Sequence, residues 1–238
     1  VHSRIRLAFA ALQCSPRMIF YQEKSDHLND DGAAVYKWVS DDDGDHYTDQ
    51  EMAQHLARNK FERLELAFLD PDEAQRHWPC LCETIGSLRE LCEIFLDGSH
   101  LEIEPVCTEF LQAIRQNSNI LIVTLHCVCF TSLVLDIAAR VEHLKIELCD
   151  ISEDFVAPGI PCAVQHLELW CNSDETIEGI LASVSPTKLS LSNEMIDDEF
   201  SEVGATSLER LLKRTPLLSL RLEDMVVTTE TVAVLNGI

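Results

Sequence analysis

Three stretches of the chain carry side chains suited to holding a cation. His77-Trp-Pro-Cys80-Leu-Cys82 and His126-Cys127-Val-Cys129 combine imidazole with thiol, the donors that zinc favours. A structural zinc site needs four convergent ligands, usually as two separated pairs of the C-x2-C kind. Neither stretch has that spacing. Strand alternation would send Cys127 and Cys129 to the face opposite His126, so packed thiols are expected in both places. Asp41-Asp42-Asp43-Gly44-Asp45 invites a calcium reading. An EF-hand loop with Gly44 at its sixth position puts Val39 first and Gln50 twelfth, where oxygen ligands are required, and a solvated turn is expected instead. Nucleophilic catalysis finds no support, since the chain has no G-x-S-x-G elbow, no P-loop and no G-x-G-x-x-G turn. No enzymatic activity, no metal site and no cofactor is expected.

The elements that position side chains must therefore carry the functional reading. The chain has 238 residues, with 18 Lys plus Arg against 41 Asp plus Glu and a formal charge of −23. Such a balance argues against binding nucleic acid, whose phosphates are held by basic side chains. A membrane-surface role resting on basic residues fails for the same reason. Acidic residues exceed basic ones in residues 1–60, 61–110, 111–160 and 161–238 alike, which fits a solvated surface rather than an acidic tail. No apolar run approaches the ~18 residues needed to span a bilayer. The ten cysteines are too sparse for a disulfide scaffold. Several sit in apolar runs, so a reducing compartment, cytoplasmic or nuclear, is expected.

One pattern recurs: apolar, two residues, apolar, one residue, apolar. It runs through Phe61-Glu-Arg-Leu64-Glu-Leu66, Leu91-Cys-Glu-Ile94-Phe-Leu96 and Ile120-Leu-Ile-Val123-Thr-Leu125. It continues through Val141-Glu-His-Leu144-Lys-Ile146, Val164-Gln-His-Leu167-Glu-Leu169, Pro186-Thr-Lys-Leu189-Ser-Leu191 and Leu217-Leu-Ser-Leu220-Arg-Leu222. Ala33-Ala-Val-Tyr36-Lys-Trp38 is a weaker copy. From Ala33 on, the intervals are 28, 30, 29, 21, 23, 22 and 31 residues. Positions 4 and 6 of each copy alternate inward on a short strand, while positions 3, 5 and 7 point to solvent. One such unit cannot bury its apolar face alone, so neighbours must stack.

The pattern resembles the leucine-rich repeat family, whose unit reads L-x-x-L-x-L-x-x-N/C-x-L. Val141 to Ile151 matches at every anchor, with Cys149 in the Asn/Cys ladder position. Leu91 to Leu101 places Ser99 there, and the Val164 copy supplies Asn172; other copies place Leu69, Val128, Glu194 or Met225 there. The resemblance implies an α/β, right-handed solenoid of horseshoe shape, similar to the ribonuclease-inhibitor-like group. It would have a concave parallel β-sheet and convex helices or 3₁₀ turns. About eight units would fill residues 33–238, with residues 1–32 as an N-terminal cap or degenerate repeat containing Ile5 to Phe9 as a strand. The chain begins at Val1 and ends in a helical stretch from Thr229 with no cap after it, so it is expected to be part of a longer array.

The connections vary. Glu104 to Asn117 reads as a helix with Val106, Phe110, Leu111 and Ile114 on one side and Asn117 as its C-cap. Thr48-Asp-Gln-Glu51 reads as a capping box ahead of Met52 and Leu56. Asp174 is expected to cap a helix turning Ile177, Ile180, Leu181 and Val184 inward. Leu208, Leu211 and Leu212 form another stripe before Pro216. The unit from Val141 contains Pro158-Gly159 and Pro161, so a turn or 3₁₀ segment is expected there.

Outward positions place Glu93, Phe95 and Asp97 beside Ile122, Thr124 and His126. These are followed by His143, Lys145 and Glu147, then His166, Glu168 and Trp170. Aromatic and apolar groups ringed by charge have the composition of an interface hot spot. The expected binding residues are Phe95, Ile122, Thr124, His126, His143, Lys145, His166, Glu168 and Trp170. Proteins of the family generally act as binding scaffolds, so the resemblance implies non-catalytic recognition of a protein partner through the concave face. Overall acidity favours a basic partner, whereas exposed histidines titrating near neutrality would strengthen binding to an acidic one toward pH ~6. The family also includes F-box-type ubiquitin-ligase receptors and regulators of enzymes or GTPases. The first requires an adaptor-binding helical segment ahead of the repeats, which residues 1–32 lack. A GTPase activator requires a positioned arginine, for which only Arg63 and Arg221 fall at outward positions.

Overall fold

Alternation of aliphatic with polar residues over five-residue stretches favours strands with one face to pack and one to hydrate. The computed structural model describes residues 19–20, 35–39, 62–67, 71–99, 104–170, 172–192, 212–213, 217–223, 229 and 232–233. Among the described residues, nine strands form one sheet, parallel throughout and ordered as they occur in the chain. They are β1 (Ile19–Phe20), β2 (Val35–Val39), β3 (Arg63–Ala67), β4 (Glu93–Asp97), β5 (Ile122–His126), β6 (His143–Glu147), β7 (Cys162–Trp170), β8 (Val184–Ser192) and β9 (Ser219–Glu223). Helices α1 (Pro71–Ser87), α2 (Glu104–Gln116), α3 (Ser132–Ala138) and α4 (Asp174–Ser183) lie between strands. The chain is thus α/β, a single parallel sheet alternating with helices.

The register follows the repeat. Leu64, Ile94, Val123, Leu144, Leu167, Leu189 and Leu220 are successive cross-strand partners, and so are Leu66, Leu96, Leu125, Ile146, Leu169, Leu191 and Leu222. The weaker copy joins them through Tyr36 and Trp38. From β3 to β8 these inward residues are almost fully buried, and they form one core with Leu81, Ile85, Phe110, Ile114, Val134, Ile137, Ile177 and Ile180 of the helices. Within residues 1–32 the described strand is Ile19–Phe20, while Ile5 to Phe9 lies outside the described residues. So do the Asp41 to Asp45 run, the capping box at Thr48, Leu208 and Leu211.

A turn recurs at position 8 of three described units, just beyond β4, β5 and β6. Cys127 and Leu148, which occupy this place, have positive φ angles of 52° and 49°. Gly98 occupies it one unit earlier, and a Cβ there would meet the Cys127 carbonyl oxygen at 2.7 Å, too close for any side chain. The three backbone N–H groups donate to the last residue of the next strand: Gly98 to His126, Cys127 to Glu147 and Leu148 to Trp170. Reversing direction at position 8 turns position 9 inward. Cys149 is buried there, and its thiol accepts from Val128 N–H. Asn172 is buried there too, accepting from Cys149 N–H at 2.9 Å and donating to the Ile146 and Trp170 carbonyls. Ser99 does not join this ladder, because its hydroxyl and N–H both donate to Asp97.

Helix boundaries differ in places from the expectation. Asn117 does follow α2, but its buried amide donates to the Ile85 and Leu88 carbonyls at 2.7 and 2.8 Å, closing the end of α1. Arg140 in turn donates to the Ile114 and Asn117 carbonyls at the end of α2. The N-cap of α4 is Ser173, not Asp174: its hydroxyl accepts from Thr176 N–H at 3.2 Å. Val184 is buried but belongs to β8, since its backbone is already extended. Residues 152–161 hold no helix, as the two prolines require. Without a helix in that unit, the early part of β7 reaches back to α3, where the Cys162 thiol donates to the Leu135 carbonyl.

Candidate functional site

The outward positions of β4 to β7 form a lattice, because register aligns like positions. Position 3 aligns Glu93, Ile122, His143 and His166; position 5 aligns Phe95, Thr124, Lys145 and Glu168; position 7 aligns Asp97, His126, Glu147 and Trp170. All twelve side chains are partly exposed except Glu147, which is buried. The nine expected binding residues therefore share one face. Glu147 was not among them, although it pairs with two of them, His126 and Lys145.

Glu147 sits between the Lys145 ammonium and the His126 imidazole. Lys145 Nζ pairs with its Oε1, and His126 Nδ1 lies 3.2 Å from its Oε2. Lys145 also lies 4.4 Å from the Trp170 ring centroid and 3.8 Å from Glu168 Oε1. Trp170 thus has a cation over its π-face, an attraction that also restrains the lysine stem. Phe95 stacks on His126 with centroids 6.3 Å apart. Acid is not confined to a rim: Glu93, Asp97, Glu147 and Glu168 all lie on these four strands.

His143 and His166 stand side by side on β6 and β7. Their rings are 4.0 Å apart and 9° from parallel. His143 Nε2 is shielded from solvent and makes one long contact, at 3.4 Å, with Glu168 Oε2. One donor atom from each of His143, His166 and Glu168 falls within 4.8 Å of the others. Burial pushes the His166 imidazole down to about 4, helped by His143 and Lys188 and opposed by Glu168. Glu168 is held below its ordinary value chiefly by the adjoining His143, and further by Lys145 and His166, against the effect of burial. His166 is therefore neutral at physiological pH, which corrects the expectation that each histidine of the patch titrates near neutrality. Desolvation and a neighbouring ring outweigh the nearby carboxylate.

The thiols divide by burial. Cys149 and Cys82 are both pushed up to about 12, mainly by burial, which leaves them protonated and inert. Cys127 and Cys129 are not placed as strand alternation predicts. β5 ends at His126, the positive φ of Cys127 breaks the alternation, Val128 turns inward and Cys129 is exposed. Among the described residues neither cysteine belongs to a group of three potential ligands.

No family model, curated protein or solved structure matches this chain. The site is therefore defined by its own geometry. Among the described residues no helix is long and apolar enough to cross a membrane. The trio of His143, His166 and Glu168 was legible as three outward residues, but its convergence was not. The signal was histidine at position 3 of two consecutive units with glutamate at position 5 of the second.

Proposed function

We propose that the chain is a right-handed leucine-rich-repeat solenoid whose open, concave sheet face recognises a protein partner without catalysis. The repeat, the chain-order parallel sheet and the recurring turn at position 8 support this architecture. The carrying observation for function is the continuous patch of Phe95, Ile122, His126, His143, His166 and Trp170 across four adjacent strands, each side chain partly exposed. A face that had only to be hydrated would carry short polar residues, whereas this one holds rings in fixed stacks beside matched charges. Fixed aromatic groups lose little entropy on binding, as hot-spot residues require.

Because Lys145, His126 and Glu147 satisfy one another, the net −23 charge is left to attract from the rest of the surface, and a basic protein is the partner favoured. The free thiols Cys82, Cys92, Cys127, Cys129, Cys149 and Cys162 fit a reducing compartment. The test compares wild type with Trp170→Ala in quantitative pull-downs, with Asp136→Ala on α3 as the control. Trp170→Ala is expected to weaken a retained partner by ~2 kcal/mol or more with circular dichroism unchanged. Equal retention by Trp170→Ala and wild type would reject the sheet face as the binding surface.

A further inference from the structure

The geometry points to a divalent transition-metal site formed by His143, His166 and Glu168 on the open face of the sheet. Two of the ligands are cross-strand partners, so their backbones are fixed side by side by the parallel ladder. The third lies two residues beyond His166 on the same strand and face. The donor set is two imidazoles and one carboxylate, which zinc accepts in three-ligand sites while keeping a further position open. Imidazole nitrogen also suits nickel and copper, so the chemical class is a borderline divalent ion rather than calcium or magnesium.

Two observations support a ligand at this place. First, His143 Nε2 is shielded from solvent and its contact with Glu168 Oε2 is long, at 3.4 Å. A cation shared by the ring nitrogen and the carboxylate would replace that weak contact with two short bonds. Second, the two rings lie face to face at 4.0 Å, an arrangement in which neither can hydrogen-bond the other. The donor atoms now lie within 4.8 Å of one another. Tetrahedral coordination with metal–nitrogen distances near 2.0 Å brings ligand atoms to about 3.3 Å apart. Closure needs the rings to splay and the Glu168 carboxylate to swing, both side-chain movements on a partly exposed surface. Lys145, 3.8 Å from Glu168, and Lys188, the register partner of His166, oppose the charge of the ion. Glu147 offsets the former by pairing with it. The site is independent of whether the same face also binds a protein.

The experiment uses the full, metal-stripped chain under reducing conditions. Nickel chloride is titrated while histidine ring signals are followed by NMR, and zinc binding is measured by calorimetry for wild type, His143→Gln, His166→Gln and Glu168→Gln. The His143 and His166 signals should broaden first, at less than one equivalent of nickel. Each variant should lose tenfold or more in zinc affinity. Broadening that begins at other histidines, zinc affinity unchanged in all three variants, or no binding by the wild type would each overturn the assignment. The nickel arm reads the wild-type chain, so it decides the matter even where a variant fails to fold.

Discussion

The two faces of the same five-residue strands obey different rules. On the inner face, positions 4 and 6 carry Leu, Ile or Val from β3 to β9, and each residue meets its own kind on the neighbouring strand. On the outer face no two adjacent strands repeat the same set. Repetition inside builds a core from neighbour contacts alone. Variety outside gives each strand a separate chemical contribution, so nearby side chains pair by charge and ring rather than by size. The inner face should therefore set stability, and the outer face should set binding.

The largest expected effect tests that division directly. Leu167→Ala empties a fully buried site in the middle of the sheet and should cost about 3 kcal/mol in urea unfolding. Trp170→Ala, three residues away on the outer face, should cost under ~1 kcal/mol of stability. Equal losses would erase the distinction. Next in size is Asn172→Ala, expected to cost about 2 kcal/mol, because it leaves the buried Cys149 N–H without its acceptor and takes a donor from the Ile146 and Trp170 carbonyls. Asn172→Ser, which is shorter, should not restore it.

A smaller effect appears with pH. His166 titrates near 4 when folded, below its ordinary 6.5, so the unfolded chain takes up the proton first as pH falls. Stability from this residue is fully present above about 6.5 and declines as pH drops toward 4. His166→Gln should flatten that part of the stability profile, and an unaltered slope would show that the ring is not desolvated. Smallest of all, Lys145→Ala should change thermal stability by less than ~1 kcal/mol, since Lys145 is itself partly exposed and His126 still faces the Glu147 carboxylate. A larger loss would mean that the outer lattice also holds the sheet together.

The periodic residues were readable in sequence because the physics that places them is local. Leu144 and Ile146 alternate inward on any strand, and their equivalents in other units fix the register. The helix over Glu104–Gln116 and the helix-free segment around Pro158 were readable for the same reason. The side-chain pairings were not. That Lys145 reaches Glu147, Glu168 and the Trp170 ring depends on three neighbouring strands and on rotamers chosen together. Glu147 looked like one more solvated acid, yet it is buried between Lys145 and His126. The turn beyond the strand was not read from the sequence, since Cys127 and Leu148 are residue types that rarely adopt positive φ. Ser173 displaced Asp174 as the cap because either can accept from a helix N–H, and only the start of the helix decides between them.

The chain-order pairing of the strands has a kinetic consequence. Each strand is hydrogen-bonded only to the strands before and after it, and the main packing between helices also joins consecutive ones. Bringing partners together therefore closes short loops rather than spanning the whole chain. Assembly can begin at any adjacent pair and spread in both directions, as it does in quasi-one-dimensional arrays. A proteolytic nick in the helix-free segment 152–161 would leave two fragments that meet at the β6–β7 ladder, so His143 would be held beside His166 and Glu168 only by pairing between the fragments.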